Sequence, residues 1–319
     1  MNYSIFDIES QINSLTKNLN DEEFLDIYNG KSNKNYQISI NLLIKNIMSQ
    51  KIVCKELFKL QEEKRSQFTR AFADAALILE YLKEIDNYLS KIKKVIINEK
   101  EKDNVLFILE KLVKYHLSVF KEIYVMSIND CFIGATGRYR IFLEIYSIIK
   151  YFNKYPNAIT RFVHHYLIKE YLITKRSNSA VITEERETYF LLKNKYKNEY
   201  SFFKQNYGWA CHKLEHPNSI KEIMKYAHSA DEFEYINKEY NNVSESSHAS
   251  LYIAMKKYID ISSVYNFLGK AGTLSITVMR IYIGWIIAIT KINDKRLLSL
   301  SHILGQLIES LYKDYHSDM

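Results

Sequence analysis

The sequence predicts an all-α protein, a multi-helix bundle, and three observations support this class. Only 8 glycines and 2 prolines occur in 319 residues, so few positions favour tight turns or break helices. Apolar residues recur at spacings of three and four, as helices that bury one face require. No segment shows the sustained alternation of apolar and polar residues that a half-buried strand would need.

The N-terminal part of the chain, residues 1–100, is predicted to be a separate helical segment. Breaks between its helices are expected in residues 29–33 and around Asn98. The charge cluster of residues 99–103 is the candidate linker to the main helical bundle, which covers residues 101–319.

The main bundle is predicted to begin with a helix that runs into Met126, followed by a turn in the small residues 134–137. Ser219 and Ser229 each precede a glutamate by three residues. This is the capping-box pattern, in which two side chains satisfy free backbone N–H groups at a helix start. Thr183 precedes two glutamates, which the positive end of a helix dipole favours. The last helix is predicted from the apolar residues Leu297, Leu300, Ile303, Leu307 and Leu311.

Composition and charge exclude several classes of protein. A hydrophobic content of 47% with 25% charged residues is typical of globular chains and excludes disordered and collagen-like ones. The 44 Lys+Arg against 37 Asp+Glu give a mixed surface of net charge +7, which permits nucleic acid as a partner without indicating it. No glycine-rich phosphate loop follows a strand, so the usual nucleotide folds are excluded and no cofactor is predicted.

The cysteines and the most apolar segment bear on localisation. Cys54, Cys131 and Cys211 show neither CxxC spacing nor the density of a disulfide scaffold, so they suit the cytoplasm. The segment Ala271–Ile292 is apolar but carries Arg280 near its centre. An arginine at mid-span costs roughly 2.5 kcal/mol or more on insertion scales. A buried core helix is therefore predicted, with no membrane partner.

Two stretches carry polar residues four apart, a spacing that places side chains on one edge of a helix. Tyr240, Ser244 and His248 lie in one stretch, and Arg140 and Glu144 lie in another. If the two edges face each other, Glu144 would orient the His248 imidazole and tune its pKa for acid–base chemistry. Arg140, Glu144 and His248 are the candidate catalytic residues. One alternative is a buried polar cluster that sets helix register. For Arg140 and Glu144, the other alternative is a surface ion pair.

Together with the tripeptide Tyr-Gly-Trp at 207–209, these stretches resemble a family of bacterial all-helical proteins that carry a domain of unknown function. The resemblance covers about residues 104–292 and leaves residues 1 to about 100 outside. It implies a helical fold and a polar centre, and it implies no substrate. The candidate binding residues are Tyr207, Trp209, Tyr240 and Ser244.

One alternative function is metal-dependent hydrolysis. His212, Glu215 and His216 match H-x-x-E-H, in which two histidines bind zinc and the glutamate activates water. Pro217 disfavours helical geometry at His216, and no third ligand is evident. No metal is therefore predicted.

The other alternative is a metal-independent ribonuclease. Arg296 and His302 are spaced as in the loose arginine-spacer-histidine motif of HEPN ribonucleases, which are also helical bundles. In that interpretation Arg296 would hold a phosphate and His302 would transfer protons. The cleft would usually form across a dimer, so a homo-oligomer is left open. The competing interpretation is an amphipathic C-terminal helix.

The leading hypothesis is a cytosolic bacterial binding or effector protein, in stress or phage defence, whose partner is an unknown ligand or protein. The sequence does not decide whether the protein is an enzyme.

A further pair, His164 and His165 beside Arg161, is predicted to lie on a charged, exposed helix face.

Overall fold

The computed structural model describes residues 8–17, 19–28, 33–50, 69–96, 100–129, 131–177, 183–210, 217, 219–247, 261–290 and 294–316. These residues form thirteen helices and no strand, which confirms the predicted all-α class. The helices are α1 (Ile8–Thr16), α2 (Asp21–Tyr28), α3 (Lys34–Ser49), α4 (Thr69–Ile96), α5 (Lys100–Ile128), α6 (Phe132–Lys154), α7 (Asn157–Arg176), α8 (Thr183–Lys195), α9 (Tyr200–Phe203), α10 (Ile220–Ala227), α11 (Ala230–Ser247), α12 (Ile261–Thr290) and α13 (Lys295–His316).

The predicted last helix is confirmed as α13. Residues 29–32 and Asn98 lie outside the described residues, so the breaks expected in residues 29–33 and around Asn98 stay predictions. The apolar stripe of α13 is buried throughout, because residues three and four apart share the helix face that meets the core. Its buried members are Leu297, Leu300, Ile303, Leu307 and Leu311.

One predicted connection is wrong and another has a different local structure. Residues 100–103 of the charge cluster are helical and form the first turn of α5, and their role as a linker stays a prediction. The small residues 134–137 lie inside α6, and the actual break comes earlier, around Asn129 and Cys131. There the Cys131 N–H donates to the Met126 carbonyl at 2.8 Å and closes α5. Glycine tolerates a helix interior at a cost of about 1 kcal/mol, so the two glycines did not require a turn.

The predicted helix starts are confirmed in different degrees. α8 begins at Thr183 with two glutamates in its first turn. Ser219 and Glu222 form the complete capping box of α10. At α11 the Ser229 hydroxyl accepts from the Glu232 N–H at 3.4 Å, whereas the Glu232 carboxylate turns away from the cap. The partners that it finds instead are described below.

The chain divides into two compact units, and the boundary between them falls within α6 and within α11. Unit 1 comprises Met1–Phe142 and Val243–Met319, and unit 2 comprises Leu143–Asn242. The boundary predicted near residue 100 stays a prediction.

The core of unit 1 forms around α12, which contacts α4, α5 and α13. A glycine permits the close packing of α12, since a Cβ at Gly272 would lie 2.5 Å from Ile78 Cδ1. Within the described residues, Phe267–Ile289 is the one stretch long and apolar enough to cross a membrane by length and composition, a test that core helices of soluble proteins also pass. Side chains of α12 with no exposed surface include Leu268, Ala271, Ile276, Met279 and Ile283.

Unit 2 contains a helical hairpin of α7 and α8, followed by the short helices α9 and α10 and most of α11. The hairpin buries an aromatic cluster, in which Tyr171 stacks on Tyr189 and Tyr196 stacks on Phe203 with ring centroids 4.2 and 3.9 Å apart. Ile168 and Leu192 complete this cluster. The polar groups described next lie on α6, α10 and α11 of the same unit.

Candidate functional site

One pair of the predicted polar centre is in direct contact in unit 2. The Tyr240 hydroxyl on α11 donates to Glu144 Oε1 on α6 at 2.9 Å. Tyr240 is buried, whereas Glu144 is partly exposed. The sequence placed both residues on helix edges, and the structure joins those two edges through this bond.

The other members of the predicted centre are placed less closely. Arg140 precedes Glu144 by one helical turn and is partly exposed, and Ser244 follows Tyr240 by one turn and is partly exposed. His248 lies outside the described residues. The predicted catalytic role of Arg140, Glu144 and His248 therefore stays a prediction, as does the binding role of Ser244.

A second polar group that the sequence analysis missed lies further along the same two helices. His228 lies in the junction between α10 and α11. Its Nε2 is hydrogen-bonded to Ser147 Oγ of α6 at 3.0 Å. Its other ring nitrogen, Nδ1, lies 3.2 Å from Glu232 Oε2, one turn into α11. Ser147 has no exposed surface and His228 is 3% exposed. The imidazole is thus enclosed between a hydroxyl and a carboxylate.

Glu232 collects most of the remaining contacts. The Tyr146 hydroxyl donates to Oε1 at 2.9 Å, and Lys150 Nζ lies 3.1 Å from Oε2. Burial alone would raise the pKa of the Glu232 carboxyl, but the contacts with His228, Lys150 and Tyr146 lower it to about 2. The carboxylate therefore stays ionised at neutral pH, and it joins α11 to α6 through two side chains, Tyr146 and Lys150.

These contacts form a ladder, named here the α6–α11 ladder and defined by the pairs Glu144–Tyr240, Tyr146–Glu232, Lys150–Glu232 and Ser147–His228. Residue numbers fall along α6 as they rise along α11, so the two helices run antiparallel. Beyond the ladder, Lys154 Nζ donates to the Tyr226 carbonyl at 2.7 Å. Nonpolar Ile236, fully buried, separates the two ends of the ladder on α11.

The order hydroxyl, imidazole, carboxylate in Ser147, His228 and Glu232 is the order of a serine hydrolase triad. Two features oppose nucleophilic chemistry here. Solvent does not reach Ser147, and this serine lies inside α6, where neighbouring N–H groups bond to carbonyls of the preceding turn. Those N–H groups are unavailable as oxyanion donors.

The tripeptide at 207–209 has a packing role in unit 2. A Cβ at Gly208 would lie 1.9 Å from the Phe202 carbonyl oxygen, so only glycine fits between the backbone segments. Trp209 is 2% exposed and its ring meets those of Tyr151, Phe152 and Phe162 at centroid distances of 5.7, 5.2 and 5.1 Å. Tyr207 is partly exposed, and its predicted binding role stays a prediction.

Arg161 of α7 fastens this tripeptide to the rest of the unit. Its guanidinium makes a bidentate pair with Glu199, at 2.9 and 3.1 Å, and donates from Nε to the Trp209 carbonyl at 3.0 Å. The same group lies over the rings of Tyr196 and Phe203, 5.3 and 5.2 Å from their centroids. A guanidinium combines a planar fork with a face that stacks, which lysine cannot do.

The neighbouring histidines correct the prediction of an exposed, charged face. His164 Nδ1 lies 2.7 Å from the Tyr196 hydroxyl, and His165 Nε2 lies 2.7 Å from the Gln205 carbonyl. Burial lowers the pKa of the His164 imidazole, and the nearby positive charges of Lys195 and Arg161 lower it further. Both rings are internal hydrogen-bonding groups, because α9 and its flanking turns cover this face of α7.

The structure places the two alternative motifs as follows. Arg296 pairs with Asp294, with Nε 3.0 Å from Oδ1, whereas the His302 ring meets Tyr36 at 5.1 Å between centroids. Six residues of helix separate Arg296 from His302, so their side chains point about 120° apart around α13. Burial and the charge of Arg280 lower the pKa of His302. The ribonuclease motif stays a prediction.

The residues of the H-x-x-E-H motif lie outside the described residues. Among the residues that the structure does describe, no three histidine, cysteine or acidic side chains are grouped as a metal site would require. The hydrolase alternative based on this motif also stays a prediction.

Comparison with known proteins places the chain in a family. Residues 105–266 match the model of a family described as "Family of unknown function (DUF5677)". The match spans about half of the chain and includes the whole α6–α11 ladder. No curated protein and no solved structure matches the chain. The helical fold that the resemblance implied is present throughout the described part of the match. The chain therefore belongs to DUF5677, a family of unknown function.

Proposed function

We propose that the chain is a helical binding or effector protein of the cytosol, in which the α6–α11 ladder has a structural role and no catalytic one. The burial of Ser147 and His228 carries this proposal. Nucleophilic attack by Ser147 with His228 as its base would need these two groups, and a substrate cannot reach them while unit 2 is folded. Ser147 Oγ and His228 Nε2 are hydrogen-bonded to each other, and His228 Nδ1 lies 3.2 Å from the Glu232 carboxylate without the geometry of a hydrogen bond.

A polar ladder of this kind selects one register between two helices. Moving α11 by one residue would turn its side chains by about 100°, away from α6. Tyr240 and Glu232 would then lose their partners, and each buried polar group left unpaired costs about 1–3 kcal/mol. An apolar interface would tolerate such a shift better, since its contacts are not directional. The ladder thus favours a single packing of unit 2.

The residues predicted from the sequence have modified roles in this proposal. Glu144 and Tyr240 position α6 and α11, and Trp209 packs the interior of unit 2. Catalysis by Arg140 and His248 stays a hypothesis. The contact surface for a ligand or protein partner is accordingly sought among exposed residues.

The cytosolic location rests on the cysteine pattern of the sequence, which shows neither CxxC spacing nor the density of a disulfide scaffold. Such a pattern suits a reducing compartment, whereas oxidising compartments favour disulfides. The setting in bacterial stress or phage defence rests on the resemblance alone and stays a hypothesis.

A second candidate function is acyl transfer by Ser147, which the contact order of Ser147, His228 and Glu232 favours. A fluorophosphonate probe separates the two candidates, because it reacts with activated serines. We expect no labelling of Ser147 in the folded protein and a loss of about 2 kcal/mol in the free energy of unfolding of Ser147→Ala. Labelling that disappears in Ser147→Ala would overturn the structural role. Ser275→Ala, which removes a buried serine hydroxyl from unit 1, is the matched control.

A further inference from the structure

One helix of unit 2 presents large apolar side chains to solvent. α8 packs through Tyr189 and Leu192 against α7. On the opposite face Phe190 is 51% exposed and Leu191 is 72% exposed. The Arg186 guanidinium reaches one edge of this face, 6.0 Å from the Phe190 ring centroid. Adjacent apolar side chains with this exposure are typical of interaction surfaces, and we name Phe190 and Leu191 the α8 patch.

The charges of α8 are separated along its length. The first half of the helix carries three acidic residues and one basic residue, Arg186, whereas its last turn carries basic residues alone. Lys193 and Lys195 of that turn lie over the rings of Tyr200 and Tyr196, 5.6 and 5.9 Å from their centroids. The net charge thus changes from negative to positive along α8, which suits the helix dipole and makes α8 complementary in net charge to an antiparallel copy of itself. The acidic residues are Glu184, Glu185 and Glu187.

We propose that the α8 patch binds a second copy of the chain, with the two α8 helices antiparallel about a two-fold axis. Phe190 and Leu191 lie near the middle of the helix, so in this arrangement the two patches meet. The acidic half of each helix then faces the basic turn of its partner, as an isologous interface requires. The inference goes beyond the proposed function and does not depend on the role of the α6–α11 ladder.

The size of the helix sets the expected strength of the dimer. The 13 residues of α8 extend over about 20 Å. A contact between two such helices is smaller than a standard interface, so we expect a weak dimer whose population rises with protein concentration.

Sedimentation equilibrium of the full chain tests the patch. We expect a monomer–dimer equilibrium at about 100 µM protein, and a dissociation constant raised at least ~10-fold by Phe190→Glu combined with Leu191→Glu. Ile173→Glu is the matched control, because Ile173 of α7 is 63% exposed and lies outside the patch. A monomeric wild-type chain at this concentration, or an undiminished dimer in the double variant, would overturn the proposal.

Charge reversal tests the antiparallel arrangement and checks folding at the same time. Glu184→Lys with Glu187→Lys makes both halves of α8 basic, and Lys193→Glu with Lys195→Glu makes both halves acidic. Each variant alone should dimerise about tenfold more weakly than the wild type, and an equimolar mixture should form a heterodimer within about threefold of wild-type strength. A mixture that stays monomeric would show that the two helices do not pair in this way.

Discussion

A buried histidine in each unit allows a direct comparison, because His116 of unit 1 and His228 of unit 2 differ in what surrounds the ring. His116 is fully buried and lies against Phe142, with ring centroids 4.0 Å apart. Its Nε2 is 3.3 Å from Ser275 Oγ, and Nδ1 has no hydrogen-bond partner among the described residues. Burial lowers the pKa of His116 to about 3.

His228 has a hydroxyl on one side, from Ser147, and a carboxylate on the other, from Glu232. Burial is therefore similar at the two histidines, but the electrostatic surroundings are not. In unit 1 the ring is held neutral and acts mainly as a flat packing group. In unit 2 the ring lies beside a carboxylate, and the histidine is part of a polar network.

Replacing each histidine by leucine should give the largest difference in the free energy of unfolding. His228→Leu leaves the Ser147 hydroxyl buried without its partner and removes one contact from Glu232, so we expect a loss of about 3 kcal/mol in the free energy of unfolding. His116→Leu also leaves a buried hydroxyl, that of Ser275, without its partner, but it removes no contact from a carboxylate, so it should cost less, about 1–2 kcal/mol. Urea denaturation followed by far-UV circular dichroism measures both. Equal losses would mean that the surroundings of the rings do not matter.

Acid should act on His116 and on Glu232 over different pH ranges. The folded pKa of His116, about 3, lies below the unfolded value near 6.5, so unfolding takes up a proton between these values. Stability is then greatest above pH 6.5 and falls by about 1.4 kcal/mol per pH unit below it, or about 2 kcal/mol by pH 5. The Glu232 carboxyl, with a folded pKa of about 2, adds its own loss only below about pH 4.5.

Urea denaturation at pH 7 and pH 5 isolates the contribution of His116 as the difference between the wild type and His116→Leu. The variant should lose about 2 kcal/mol less than the wild type over this range. An identical pH dependence in the two proteins would show that His116 titrates normally in the folded state.

The strength of the hydrogen bond between Glu144 and Tyr240 can be measured within unit 2. A double-mutant cycle of Glu144→Gln and Tyr240→Phe should give a coupling of about 1 kcal/mol, since a hydroxyl donates to a carboxylate here. The control cycle combines Glu144→Gln with Tyr171→Phe on α7, and its two effects should add to within about 0.5 kcal/mol. Similar coupling in both cycles would contradict the bond.

The smallest effect is expected at a surface ion pair of unit 1. Arg138 Nε lies 2.8 Å from Glu122 Oε2, but the two side chains are 39% and 37% exposed. A double-mutant cycle with alanine at both positions should give a coupling of a few tenths of a kcal/mol, about 0.3, which disappears in 1 M salt. A coupling as large as that between Glu144 and Tyr240 would remove the distinction between exposed and buried pairs.

Local physical rules account for what the sequence determined by itself. Helix class, the apolar stripe of α13 and the start signals at Thr183 and Ser219 depend on residues within one or two turns of each other. Such short-range patterns can be read directly. The one misplaced turn, at residues 134–137, came from treating glycine as a breaker where helix α6 tolerates it.

Only part of the polar centre could be predicted from the sequence, because short-range patterns do not reveal contacts between distant residues. Glu144 and Tyr240 were identified as edge residues from their spacing, but their contact joins positions 96 residues apart. Ser229 and Glu232 carried a capping signal, and nothing local indicated that the Glu232 carboxylate would leave the cap for Tyr146 and Lys150.

Only the tertiary structure decided which partner each polar group has. A half-buried carboxylate such as that of Glu232 takes the partners that packing brings within about 3 Å, and that choice depends on how α6 and α11 meet rather than on either helix alone. The sequence determined that the described part of this protein is helical and where α8, α10 and α11 begin. The packing of those helices decided that His228 lies in a charged network and that His116 lies among apolar rings, because solvation and charge at a buried ring come from residues distant in the chain.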